Sequence, residues 1–292
     1  RDPATLAAAA APAEDMGSDF VDLNCGCPID HFTSKGLGAA ILRKPRRFGE
    51  LIGAMRRAVT IPVTVKIRSG WNDASINDPE LARIAQEQGA DAITLHARTR
   101  DQRYTRAADW QQIGELAASL DIPVIGNGDL LAHWEVSARW QETGCAAVMT
   151  ARGALIKPWI FQEVKEQRAI LLSATERLAI IRRYTELARE HFGDDAFGTE
   201  RVREFLIWHL GFFCRYRPLS AEAWQSASFA HPLLQTRMTA AVEGDDLTRL
   251  LARPDQAAHE HLARIALGEI DADAPPPPEA DATDAVMTVS NG

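Results

Sequence analysis

The sequence is poor in cysteine, with four in 292 residues (Cys25, Cys27, Cys145, Cys214). So few in so long a chain exclude a disulfide framework and point to a reducing, cytosolic compartment. No apolar run is long enough to span a bilayer. The opening "RDPATLAAAAAPAEDM" lacks a basic segment followed by a strongly apolar one, so no signal peptide is read. An initiator methionine is also missing, which gives the expectation that the chain is a piece of a longer one. Basic residues are outnumbered, 32 against 40 acidic, and the net charge of −8 excludes a generic nucleic-acid sponge.

The charge deficit is uneven. The stretch from Asp271 to Gly292 holds five acids (Asp271, Asp273, Glu279, Asp281, Asp284) and no base, and removing it leaves −3. Within the remainder, Arg98, Arg100, Arg103 and Arg106 fall in one short segment, and Arg43, Lys44, Arg46 and Arg47 in another. A solvated surface accounts for such runs; a local path for a phosphate backbone is the sharper alternative.

What is present is alternation. Short β-branched runs ("FVDLN", "IPVTVKI", "DAITLHA", "IPVIGNG", "AAVMTARG") are separated by stretches of helical period ("RRFGELIGAMRRAV", "DPELARIAQEQGA", "DWQQIGELAASL"). Strand starts spaced by roughly 25 to 40 residues are the mark of βα repeats around a parallel sheet. Polar residues gather at the C-terminal end of every strand: Asn24 to Cys27, Lys66 and Arg68, His96 and Arg98, Asn127 to Asp129, Arg152 and Gly153. In a doubly wound sheet only switch-point strands are so decorated; in a (β/α)8 TIM barrel all of them are. The expected fold is therefore a TIM barrel, incomplete, with about five of eight strands present and the other three expected ahead of Arg1.

After Phe161 the strand pattern stops. "SATERLAIIRRYTELAREHFG" is an amphipathic helix with a capping box (Ser173, Glu176) and a closing Gly193, and "TERVREFLIWHLGFFCRYR" is a second, more aromatic one. The expected division is a partial barrel over 1–168, a helical domain over 169–268, and a disordered Pro- and acid-rich tail over 269–292.

Several residues carry candidate chemistry. Cys25 and Cys27 are too close for a zinc pair, have no second cluster, and would form a strained disulfide. Buried structural thiols are the ordinary reading for Cys145 and Cys214. For a strand-end thiol a proton carrier and a thiolate nucleophile both stay open; at an unperturbed pKa near ~8.5 only about 3% is ionised at neutral pH. Lys66, ending "VTVKI", is hard to explain as packing, since burying it unpaired is costly. His96 ends "AITLH" in the equivalent place. "GNGD" (Gly126 to Asp129) and "ARGAL" (Ala151 to Leu155) end the last two strands, where barrels build phosphate sites from backbone N–H groups, and Arg152 adds a charge. "KGLG" (Lys35 to Gly38) is too short for a dinucleotide fingerprint. Bottom-up, these features describe a barrel enzyme with a phosphorylated ligand.

The same motifs, in order, resemble the tRNA-dihydrouridine synthase family: "DLNCGCP" with "KGLGAAIL", then "VTVKIRSG", "ITLHARTRDQRYTRAADW", "PVIGNGD" and "MTARGAL". The likeness is close over about Asp19 to Glu166. "RDQRYTRAADW" and "KPWIFQEVKEQR" are most similar to the eukaryotic-type tRNA-dihydrouridine(47) synthase branch. The resemblance implies a cytoplasmic, FMN-dependent enzyme, monomeric when full length, without metal or membrane partner. It would reduce the C5–C6 bond of a uridine in tRNA with NADPH as reductant. On that analogy reduced FMN delivers hydride to C6 and Cys27 gives the proton to C5. Lys66 would sit by the isoalloxazine N1/O2 and His96 against the flavin or its phosphate. Asn127, Gly128, Asp129, Ala151 and Arg152 would hold the ribityl phosphate. Asn24 would orient a flipped uridine, Arg68, Arg98 and Arg103, with Arg100 and Arg106, would meet tRNA, and the helical segment over 169–268 would be the family's tRNA-recognition domain.

Family members carry three further strands, with a Pro-Met motif and a flavin-contacting Gln, that have no counterpart in this chain; "RDPATLAAAA" resembles the helix after the third of them. The 292-residue chain alone is therefore expected to bind FMN poorly. Two alternatives stand beside this reading: an FMN barrel acting on a free pyrimidine, like dihydroorotate dehydrogenase, and a non-catalytic tRNA-binding remnant.

Overall fold

The computed structural model describes residues 2–230 and 242–278, with the side chains of 227–230 excepted. Five strands, β1 (Val21–Asn24), β2 (Val63–Gly70), β3 (Ala92–Thr99), β4 (Val124–Asn127) and β5 (Ala147–Met149), form one parallel sheet in the order β1-β2-β3-β4-β5. The order contains no reversal. A doubly wound sheet requires one, whereas consecutive strands of a barrel follow each other in sequence. The arrangement is thus five successive βα repeats of a barrel wall.

Helices fill the connections: α1 (Pro3–Asp15), α2 (Asp30–Thr33), α3 (Pro45–Ala58), α4 (Asp78–Glu87), α5 (Trp110–Ser119) and α6 (His133–Thr143). Side chains alternate across a strand, and here the two faces differ sharply. Val63, Val65 and Ile67 on β2, and Ile93 and Leu95 on β3, are fully buried. They pack under α3, α4 and α5, each such side chain contributing about 1.5–3 kcal/mol. The opposite face carries Asn24, Lys66, Arg68, Thr94, His96, Arg98 and Asn127. α3 illustrates the local logic: Pro45 opens it, Phe48, Leu51, Ile52 and Met55 form its buried stripe, and Arg56 in its last turn donates to the carbonyls of Val59 and Ile61. α1 packs on α3, with Ala10 joining Val21, Met55, Val59 and Val63 in a small apolar cluster.

One buried carboxyl stands out behind the sheet. Asp78, in the first turn of α4, is 3% exposed. Burial, reinforced by the Glu115 and Asp109 carboxylates, pushes it up to about 6. The folded value lies above the unfolded one, so the folded state keeps a proton between about pH 4 and pH 6, and stability falls as pH rises through that window. Asp78→Asn is expected to raise the unfolding free energy at about pH 8 by up to about 3 kcal/mol, with the gain vanishing near pH 4. An equal effect at both pH values would contradict the assignment.

The second compact unit comprises Leu131–His133 and the chain from Arg152 onward. It holds α7 (Arg152–Ile156), α8 (Ile160–Glu166), α9 (Ala174–Phe192), α10 (Ala196–Phe213), α11 (Ala221–Ala230), α12 (Asp246–Leu250) and α13 (Gln256–Leu267). The division falls at Arg152, ahead of the expected residue 168. The reason is packing: Ile156 and Trp159 belong to the same core as Leu178, Ile181, Leu206, Leu210, Phe213 and Leu262. α9 starts on the Ser173–Glu176 capping box and stops at Gly193, whose φ is +88°. No helix among the described residues is long and apolar enough to cross a membrane. Of the expected tail, residues 279–292 lie outside the described residues. Just before them, Arg253 donates to the carbonyls of Pro277 and Pro278 at 2.6 and 2.8 Å.

Candidate active site

Register sorts the polar face into two rows. Asn24 stands opposite Lys66, and Lys66 opposite Thr94; two residues further along, Arg68 stands opposite His96, and His96 opposite Asn127. Asn24 and Asn127 end β1 and β4, while Lys66 and Thr94 lie midway along the longer β2 and β3, in the polar face that leads to the C-terminal ends where barrels place their chemistry. Lys66 is half-buried, and its ammonium forms no hydrogen bond or ion pair with the described residues. Burial and the neighbouring Arg68 guanidinium pull its ammonium down to about 8, against a weaker opposing pull from Asp22. A cation held this way is stabilised by any anion that arrives beside it.

The two cysteines part company directly after β1. The Cys25 N–H donates to the Lys66 carbonyl at 2.8 Å, continuing the ladder. Its side chain is 1% exposed, and burial pushes the thiol far up. Cys27 is half-buried. Its backbone is gripped from three sides. Asn24 Oδ1 accepts from Gly26 N–H at 3.0 Å, Arg68 Nε donates to the Gly26 carbonyl at 2.8 Å, and Ala39 N–H donates to the Cys27 carbonyl at 2.9 Å.

Gly38 closes this grip. Its φ is +56°, and a Cβ there would stand 2.6 Å from the Cys27 oxygen and 2.9 Å from the Cys27 Cβ. Gly17, with φ +86° and nothing within 4 Å, makes the matched control for backbone strain alone. Gly38→Ala is expected to lose more stability than the roughly 1–2 kcal/mol of a left-handed alanine. It should also change the rate at which iodoacetamide alkylates Cys27, and Gly17→Ala should not. Equal effects of the two substitutions would contradict a positioning role for Gly38.

The loop between β3 and α5 is pinned by charge. Arg98 is 1% exposed; its Nη2 meets Asp129 Oδ1 and Oδ2 at 2.7 and 2.5 Å, its Nε donates to the Arg106 carbonyl at 2.6 Å, and its Nη1 meets His96 Nε2 at 3.0 Å. A guanidinium only donates, so Nε2 accepts and the imidazole proton is assigned to Nδ1. Asp129 also accepts from Ala108 N–H at 2.8 Å. Arg68, again 1% exposed, donates to the Thr99 and Arg103 carbonyls at 3.0 and 3.3 Å and lies over Tyr104, which stacks on His96. As placed, Arg68 and Arg98 hold loops together. The more exposed arginines are Arg103, paired with Asp30 at 2.7 Å, and Arg106, paired with Asp73 at 3.0 Å. Arg100 also pairs with Asp30 and lies over Trp71 at 4.6 Å, while Arg43 lies over the same ring at 5.0 Å.

At the end of β4, Asn127 Nδ2 donates to the Met149 carbonyl at 2.9 Å. Gly128 has φ +141°, and a Cβ there would lie 2.4 Å from that of Ala108. The Asp129 carboxylate is engaged by Arg98 and the Ala108 N–H. All of these contacts lie within the first unit, which ends at Ala151; Arg152 opens α7 in the second. Sequence reasoning missed Asp30, which ties the Cys27 loop to the arginine loop, and Tyr104. Asp30 lies 70 residues from Arg100, beyond any local pattern.

The profile of the family described as "Dihydrouridine synthase (Dus)" matches residues 1–214. A tRNA-dihydrouridine(47) synthase (NAD(P)(+)) from Coprinopsis cinerea is 42% identical over 264 residues, which cover 86% of this chain and 38% of that protein. A tRNA-dihydrouridine(47) synthase-like protein from Homo sapiens is 44% identical over 202 residues, covering 69% and 31%. One from Oryza sativa subsp. japonica is 35% identical over 259 residues, covering 86% and 36%. The chain thus matches no more than 38% of the length of these relatives.

Proposed function

The chain belongs to the dihydrouridine synthase family, and on that premise we propose that it carries the site of an FMN- and NADPH-dependent enzyme that reduces a uridine of tRNA to 5,6-dihydrouridine. The observation that carries this reading is the register pairing of Asn24 with Lys66 directly before the Cys27 loop. It brings an amide, an unpaired cation and a half-buried thiol to one strand end.

The residues present fit a flavin phosphate. Lys66 is a desolvated cation with no anion of its own, suited to the pyrimidine edge of an isoalloxazine. His96, held by Arg98 through Nε2, would lie against the flavin or its phosphate. Backbone N–H groups from Asn127 to Asp129, with that of Ala151, would hold the phosphate. When bound, reduced FMN supplies the hydride equivalent for C6 of the uracil ring. Cys27 holds the proton for C5 on Sγ, so that one two-electron equivalent and one proton complete the reduction. Asn24 spends Oδ1 on the Gly26 N–H, which leaves its NH2 to donate to a uracil carbonyl. A stacked base cannot reach a strand end inside a barrel, so the uridine is flipped out of the RNA. Arg103, with Arg100 and Arg106, exchanges carboxylate partners for backbone phosphates as the RNA docks.

Flavin binding should raise the Lys66 pKa, so the protein takes up as much as about half a proton near pH 8 on binding FMN. Calorimetry in two buffers of different ionisation enthalpy reads this number, and Lys66→Met should abolish it. The same uptake in the variant would remove Lys66 from the flavin site. Turnover should be seen on tRNA and be negligible on free uridine or orotate; comparable turnover on a free pyrimidine would contradict the RNA reading.

A further inference from the structure

Among the described residues, the helical unit contains a buried arginine with no hydrogen-bond or ion-pair partner for its Nε and Nη1. Arg177, in the first turn of α9, is 1% exposed, and its Nε and Nη1 are buried without a hydrogen-bond partner. Its guanidinium lies over the Tyr216 ring, 5.3 Å from the centroid. Tyr216 is 1% exposed, and its hydroxyl is likewise buried without a partner. Burial pushes that hydroxyl up to about 12, so it stays protonated and is able to donate. The ring is packed edge-on against Trp159 at 4.8 Å and stacked near Trp224 at 6.1 Å.

Neighbouring charge leaves the arginine uncompensated. Lys157 and Glu163 pair with each other at 2.6 Å. Asp245 attracts Arg177 but sits at the N-terminus of α12, accepting from Thr248 N–H at 2.7 Å, and Arg217 adds a repulsive positive charge. An arginine cannot shed its proton to escape burial, and a buried charge without a partner costs several kcal/mol. Ring contact alone, worth roughly 2 kcal/mol when desolvated, does not offset that cost. A charged donor beside a hydroxyl that can donate, with no carboxylate or carbonyl bonded to either among the described residues, is the chemistry that an oxyanion satisfies.

We propose that Arg177 and Tyr216 form an oxyanion site in the helical unit, which takes a phosphate group either free or carried by RNA. The inference does not depend on the reading of the strand-end site.

Thermal unfolding of the whole chain in increasing inorganic phosphate, against chloride at matched ionic strength, tests it. The wild-type midpoint should rise saturably with phosphate. Arg177→Met should be as stable as wild type, or more so, without phosphate, and should not respond to it. Tyr216→Phe keeps the ring and loses one donor to a charged group, so its half-saturating phosphate concentration should rise about tenfold. A destabilised Arg177→Met at every phosphate concentration would mean that the arginine only serves the packing, and would overturn the proposal. So would a wild-type response no larger than that to chloride. The source is read from tRNA binding: a phosphate on RNA predicts weaker binding by both variants and competition by inorganic phosphate, and a free phosphate predicts equal binding by all three proteins.

Discussion

Cys27→Ala is expected to lower dihydrouridine formation about 10²- to 10⁴-fold while leaving the fold and FMN binding in place. The range is what positioned proton transfer ordinarily contributes. The substitution removes Sγ from a half-buried position, and the backbone contacts from Asn24, Arg68 and Ala39 do not involve the thiol. Cys25→Ala is the internal control. Its thiol is 1% exposed and pushed to a high pKa by burial, so it offers no proton to a substrate. Its loss should cost stability through a small void but spare turnover. Nucleoside analysis of tRNA after single-turnover reduction reads both variants, and equal loss of activity would end the distinction between them.

Breaking the Arg98–Asp129 pair should have the largest effect on stability. The arginine side chain is fully buried and the carboxylate 9% exposed. Removing one partner strands the other charge, which costs about 3–5 kcal/mol, whereas removing both can cost much less. Asp129→Asn and Arg98→Met should each lower the unfolding free energy by that amount, and the double variant should recover part of it. A double-mutant cycle should show a coupling above about 1 kcal/mol. The damage extends beyond stability: Asp129 also holds the Ala108 N–H, and Arg98 fixes the tautomer of His96. Loss of either should therefore weaken FMN binding without touching Cys27. Additive costs below about 1 kcal/mol each would show a pair no better than a surface one.

The strands were legible because β-branched runs of period two are local, and so was the α9 capping box at Ser173 and Glu176. That the decorating residues share a face was legible too, since Lys66 and Arg68, like His96 and Arg98, are two residues apart. Partners were not legible. Arg68 holds the carbonyl of Gly26, 42 residues away, and Asp30 holds Arg103, 73 residues away. A basic run read as open to RNA is partly internal scaffolding, because only tertiary structure decides which arginine finds a carboxylate. The boundary at Arg152 was hidden for a related reason. Ile156 and Trp159 look like the end of a βα repeat, yet they pack into the helical core.

The most direct test measures dihydrouridine in tRNA from cells whose own dihydrouridine synthases have been removed and which express the protein from its complete gene. The account predicts that dihydrouridine returns with wild-type protein and with Cys25→Ala, and is absent with Cys27→Ala. Dihydrouridine at wild-type level in the Cys27→Ala cells, or none with the wild-type protein at normal abundance and flavin content, would contradict it.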